Sequence, residues 1–115
     1  MKKTPVFIWN DRALRKIYVE DIHCLTMTGN YTNIFVSPNE CVMARCTLDS
    51  ALKVLPGDQF VKIHRSHAVP INFIEQIGRD YVRISGQDIP LSRQYYKPLM
   101  EKLRIIGGQS TLAKD

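Results

Sequence analysis

His64 and His67 bracket Arg65 and Ser66, and a His-x-x-His pair beside a serine invites two chemistries, metal ligation and an activated hydroxyl. Neither is supported by its surroundings. A metal site needs a third donor, and the flanking carboxylates, Asp58 and Glu75, stand several positions away. The chain contains no Gly-x-x-x-x-Gly-Lys-Ser/Thr loop, no Gly-x-Gly-x-x-Gly and no Gly-x-Ser-x-Gly elbow. The expectation is no enzyme, no metal and no cofactor. The basic residues say more. From Gln59 to Ile74 the charged side chains are Lys62 and Arg65, with no acid among them. From Ile89 to Arg104 stand Arg93, Lys97, Lys102 and Arg104 against Glu101, a local balance of +3. Ser66, Ser92, Tyr95 and Tyr96 interleave hydroxyl groups that can bond phosphate oxygens. On composition alone these segments read first as an ordinary solvated surface and second as the footprint of an acidic partner.

The elements that carry these residues belong to a short chain. Its 115 residues suffice for one domain with one real core. Apolar residues make up 44 % and charged residues 23 %, which excludes a disordered chain. No apolar run approaches the roughly 18 residues a membrane span needs, so no membrane insertion is expected. The net charge of +5 favours an acidic partner only modestly. Met1-Lys2-Lys3 imitates the start of a signal peptide, but Asn10-Asp11-Arg12 cuts short the apolar stretch that follows. The three cysteines, Cys24, Cys41 and Cys46, form no Cys-x-x-Cys pair and fit a reducing cytoplasm, where they read as small buried apolar side chains.

Most of the chain reads as short strands between turn signals: Pro5 to Trp9, Arg15 to Val19, Ile22 to Met27, Tyr31 to Val36, Cys41 to Cys46, Phe60 to His64, Ile74 to Ile77, Tyr81 to Ile84 and Gln87 to Leu91. Ser66 to Asn72 reads as irregular, because Pro70 interrupts it. One helix stands out in the middle. Thr47 is a good N-cap, Leu48, Leu52 and Leu55 make an apolar stripe, and Pro56-Gly57 ends it. Ser92 is placed to cap a final helix with Leu99 and Leu103 as core contacts. Pro98 leaves two options there, a helix that begins near Pro98 or one that kinks at it. Residues 1–5 read as a tail, 6–106 as the domain, and 107–115 as a flexible C-terminal tail.

Four motifs in order carry a family resemblance. Asp21-Ile22 is followed by Gly29-Asn30-Tyr31-Thr32. Thr47-Leu48 to Leu55 then forms the short helix. Phe60-Val61-Lys62-Ile63-His64-Arg65-Ser66 leads on to Asn72 and Ile74. Ile89-Pro90-Leu91-Ser92-Arg93 is followed by Tyr95 or Tyr96. This series resembles the LytTR family of bacterial DNA-binding domains over roughly Phe7 to Ile106. Departures are His67, Ala68 and Pro70, where the family favours other residues, and Pro98 in the last helix.

The resemblance implies a mainly β fold of about ten short, mostly antiparallel strands in small sheets, with one middle and one C-terminal helix. It also implies sequence-specific binding of duplex DNA in transcription regulation, reading successive major grooves through loops. By that resemblance Asn30, Tyr31, Arg65 and Arg93 contact bases, while Lys62, His64, Ser66, Ser92 and Lys97 contact phosphates. His64 also braces its loop. Two copies on direct repeats are expected, and a separate receiver or inhibitor protein is a further partner, because the chain reads as an output module without a sensor. Two other readings stay open: a single-stranded nucleic-acid module that stacks bases on Tyr31, Tyr81, Tyr95 and Tyr96, and a protein-interaction module.

Overall fold

Five of the strands share one antiparallel sheet, and that sheet organises everything else. The computed structural model describes residues 2–108. In chain order it contains β1 (Pro5–Asn10), β2 (Ala13–Tyr18), β3 (Cys24–Thr28), β4 (Tyr31–Ser37), β5 (Glu40–Ala44), α1 (Leu48–Val54), β6 (Phe60–His64), β7 (His67–Pro70), β8 (Gln76–Ile77), β9 (Tyr81–Ile84), β10 (Gln87–Pro90) and α2 (Arg93–Glu101). Short 3-10 turns occupy Val19–Asp21 and Ile71–Phe73. The large sheet runs β5-β4-β3-β7-β6, β8 to β10 form a three-stranded sheet, and β1 and β2 form a hairpin. Ten short antiparallel strands in small sheets and two helices agree with the fold class expected from the family resemblance.

The two-residue turns follow from local chemistry. Asp11 and Arg12 close the β1–β2 hairpin at φ 55 and 69, both left-handed, as a type I′ turn demands. Gly29, at φ 60, takes the first central position between Thr28 and Tyr31, the glycine place of a type II′ turn.

β6 and β7 are buried on both faces, which is why Phe60 to Ile63 shows no clear polar alternation. Phe60 and Ala68 join one core with Ile8, Ile17, Leu25, Ile34 and Leu48, under the β1–β2 hairpin and α1. Val61, Ile63 and Val69 point the other way and meet Val82, Ile84, Leu91 and Leu99 from the small sheet and α2. The chain thus builds two cores, not one, on opposite sides of β6 and β7.

Several sequence expectations are corrected. Ser66 to Asn72 is not irregular: it supplies β7, and Pro70 sits at that strand's end opposite Phe60, where its missing N–H costs least. Val19 belongs to a 3-10 turn, not to β2. Ile74 and Glu75 precede β8, and Leu91 follows β10. The final helix neither waits for Pro98 nor stops at it. It begins at Arg93 and runs through Pro98 to Glu101. Pro98 is exposed on that helix, so the Gln94 carbonyl that loses its i+4 donor can turn to water. Ser92 holds the N-cap position, but its side chain makes no capping bond. Thr47 does cap α1, accepting from the Ser50 N–H at 3.1 Å. The three thiols are half-buried and not bridged, and Cys46 lies beyond β5. Residues 109–115 of the expected C-terminal tail lie outside the described residues.

Candidate nucleic-acid interface

Backbone pairing brings three separate stretches of sequence to one end of the large sheet. β3 leads into the Gly29–Asn30 turn, and its other edge pairs with β7 through Leu25 with Ala68 and Thr26 with His67. The Met27 N–H donates to the Ser66 carbonyl at 2.8 Å. The Arg65–Ser66 turn therefore lies beside the Gly29–Asn30 turn. The Ile63 carbonyl, at the end of β6, accepts from the Ser92 N–H at 2.9 Å. That bond sets Arg93, the first residue of α2, next to the same turn. Asn30, Tyr31, Arg65, Ser66, Ser92 and Arg93 are about 60 positions apart at the extremes, yet neighbours at this end.

The side chains there divide into two sets. Asn30, Tyr31, Arg65, Arg93 and Lys97 are exposed, and none makes a side-chain hydrogen bond or ion pair among the described residues. The second set holds the first in place. His64 Nδ1 accepts from the Ser66 N–H at 3.0 Å, so its proton sits on Nε2 and the ring braces the turn. His67 Nδ1 lies 3.1 Å from Thr26 Oγ1, tying β7 to β3. Burial pushes the His67 imidazole below its ordinary pKa, and the nearby His64 ring, 4.9 Å away, adds to the effect.

Lys62 belongs to the second set. Its ammonium donates to Asp49 Oδ1 at 2.9 Å and lies 5.8 Å from the centre of the Tyr95 ring. The Asp49 hydrogen bond holds it above the ordinary lysine value. Asp49 stands in the first turn of α1, so this pair also links α1 to α2 across β6. Among the described residues the ion pairs are Lys3–Asp21, Arg15–Glu40, Lys62–Asp49 and Arg83–Asp88.

Two further arginines were not singled out by the sequence reading. Arg45 follows β5 directly, and Ala44 pairs with Thr32, so Arg45 joins the end that carries Tyr31. Arg79 lies in the β8–β9 turn. It lines a cleft of about 630 Å³ with Gly78, Asp80, Arg93, Tyr96 and Lys97. A lone arginine between two strands carries no motif, and only the pairing of β5 with β4 and the packing of the small sheet against α2 reveal where these two go.

Such an end presents guanidinium forks, an amide and a phenol without intramolecular partners. These groups suit base edges and phosphate oxygens, and the braced backbone beneath them fixes their spacing. Among the described residues there is no cluster of three metal-ligating side chains, and no helix is long and apolar enough to cross a membrane.

Comparison with known proteins agrees with this geometry. Over 108 residues the chain is 28 % identical to the sensory transduction protein LytT of Enterococcus faecalis, matching 89 % of this chain but only 44 % of that protein's length. A solved LytTr DNA-binding domain from Bacillus cereus superposes with a TM-score of 0.73 at 20 % identity, covering 88 % of this chain and 97 % of that one, which shows a shared fold. The family model of the LytTr DNA-binding domain matches residues 12–104, a span that holds the Gly29–Asn30, Arg65–Ser66 and β8–β9 turns and the start of α2, and the chain belongs to that family.

Proposed function

We propose that this chain binds duplex DNA sequence-specifically in transcription regulation, and that it reads successive major grooves through the loops at the end of the large sheet. The observation that carries the reading is the meeting of four exposed, unpartnered side chains, Asn30, Tyr31, Arg65 and Arg93, on a backbone braced by His64, Ser66 and Ser92. Arg93 suits guanine O6 and N7, which its planar fork bonds together. Asn30 suits adenine N6 and N7. Arg65 and Tyr31 complete the base contacts. Ser66, Ser92 and Lys97 supply phosphate contacts around them. His64 has its Nε2–H free for a phosphate oxygen while Nδ1 holds the turn. Lys62 reaches a phosphate by exchanging it for Asp49.

In this reading the chain acts as a cytoplasmic, non-enzymatic output module. Two copies occupy direct repeats, and a separate receiver or inhibitor protein supplies the input. The single-stranded alternative is weaker because two of its stacking residues are already used. The Tyr81 ring packs on Gly78 beneath the Arg83 guanidinium, and Tyr95 lies under Lys62.

Selection of bound sequences from a random duplex pool, followed by Arg93→Ala on the selected site, tests the reading. The substitution is expected to cost about 1–3 kcal/mol on that site and to relax discrimination at one base pair. Unchanged discrimination would refute the role of Arg93. Retention of a single-stranded probe over the duplex at equal salt would refute the duplex reading itself.

A further inference from the structure

We infer that the β8–β9 turn is an additional DNA contact, in which Arg79 closes with Lys97 on a backbone phosphate flanking the bases read by Arg93. This rests on the duplex-binding reading above.

The turn is held rigidly. The Gly78 N–H donates to the Tyr81 carbonyl at 2.9 Å. The Tyr81 ring lies directly on Gly78, where an added Cβ would stand 1.9 Å from a ring carbon. The Arg83 guanidinium covers that ring at 5.4 Å from its centre. The Asp80 carbonyl accepts from the Leu91 N–H at 3.0 Å, two residues before Arg93. The turn and the start of α2 are therefore one unit, and Arg79 projects from it as an exposed side chain with no ion pair among the described residues.

The cleft between them has the character of a phosphodiester seat. Three cations, Arg79, Arg93 and Lys97, line it against one carboxylate, Asp80. Lys97 follows Arg93 by four positions and so lies on the same helical face. A fork whose head is occupied by base edges leaves Arg79 and Lys97 to neutralise the adjoining backbone. The volume of about 630 Å³ is open, which suits a strand passing through better than an enclosed small ligand.

The test is the salt dependence of binding to the selected duplex by the wild-type chain, Arg79→Ala, Arg79→Lys and Arg79→Glu. Loss of one phosphate contact lowers the steepness of log K against log salt by about 0.9. Arg79→Ala is expected to show that drop with the selected sequence unchanged, Arg79→Lys to restore most of it, and Arg79→Glu to weaken cognate and random duplexes alike. Arg79 has no ion-pair partner among the described residues, so urea midpoints should not move. Wild-type binding with all three slopes unaltered overturns this contact alone. A wild-type chain that binds no duplex overturns both readings. Inorganic phosphate is the probe for a free-anion site: phosphate-dependent NMR shifts at Arg79 with an unaltered duplex slope also overturn the proposal.

Discussion

Leu99→Ala tests whether the second core anchors α2, whose first residue is Arg93. Leu99 is fully buried, and it is the residue by which α2 enters the cluster of Val61, Ile63, Val69, Val82 and Leu91. The substitution removes about three methylene equivalents, or roughly 2.4 kcal/mol of transfer free energy. The flanking β6 is held on both faces and cannot collapse far into the gap, so a cavity contribution adds to this and the total comes to about 3–4 kcal/mol. A domain of this size has about 5–15 kcal/mol in all, so the variant still folds at 25 °C. Its Tm should fall by roughly 12–16 °C, taking about 4 °C per kcal/mol. Urea unfolding followed by fluorescence of Trp9 and by circular dichroism measures the loss, and coincident transitions check that the two cores unfold together. A loss under about 1 kcal/mol would refute the claim that Leu99 anchors α2. An early transition seen by circular dichroism and not by Trp9 fluorescence would refute the claim that the cores are coupled.

Thr32 is the sole fully buried polar side chain among the described residues, and its hydroxyl donates to the Cys46 carbonyl at 2.9 Å. Thr32→Val should destabilise by about 1–2 kcal/mol because it leaves that carbonyl bare, and equal stability in urea would show that the carbonyl finds another donor. The depressed pKa of His67 has a pH signature. Below the unfolded-state value near 6.5 the unfolded chain takes up a proton that the folded chain resists, so stability is complete above that value. It then declines as pH falls toward the lower folded-state value. His67→Gln should flatten this decline in urea midpoints taken from pH 7.5 to 5, and an unchanged profile would assign the decline to other groups.

The strands were legible where local patterns decide them. Alternation and turn residues located β1 to β6, and the cap at Thr47 with the leucine stripe located α1. What was hidden depends on tertiary pairing. Pro70 argues against a strand locally, but at the last pair with Phe60 it has no ladder bond to lose. Pro98 argues against a helix, but α2 is held by Leu99 in a core and by the Ser92–Ile63 bond, which outweigh one missing hydrogen bond. The His64-Arg65-Ser66 motif is legible as a resemblance, and the structure supplies its physics: the histidine accepts from the backbone of the serine and so shapes the turn on which the arginine stands. Arg45 and Arg79 were illegible, because nothing near them in sequence tells which strand end they join.

The net charge of +5 understates what a phosphate meets at the loop end. Exposed charges farther apart than about 8–10 Å are largely screened at physiological salt, so local balance governs binding more than the total. Asp21, Glu40 and Asp88 are engaged by Lys3, Arg15 and Arg83, and each such pair is close to neutral at a distance. Arg45, Arg65, Arg79, Arg93 and Lys97 have no such partner among the described residues. Two acids stand near the interface: Asp49 is spent on Lys62, and Asp80 lines the cleft with Arg79, Arg93 and Lys97. Lys2, Arg12, Lys16, Lys53, Lys102 and Arg104 also lack an ion pair among the described residues, so what marks this end is that Arg45, Arg65, Arg79, Arg93 and Lys97 meet where β3, β5, β6, β8 and α2 present their turns. A chain with the same composition and a different strand order would scatter them. Register, more than charge count, gathers these cations at one end.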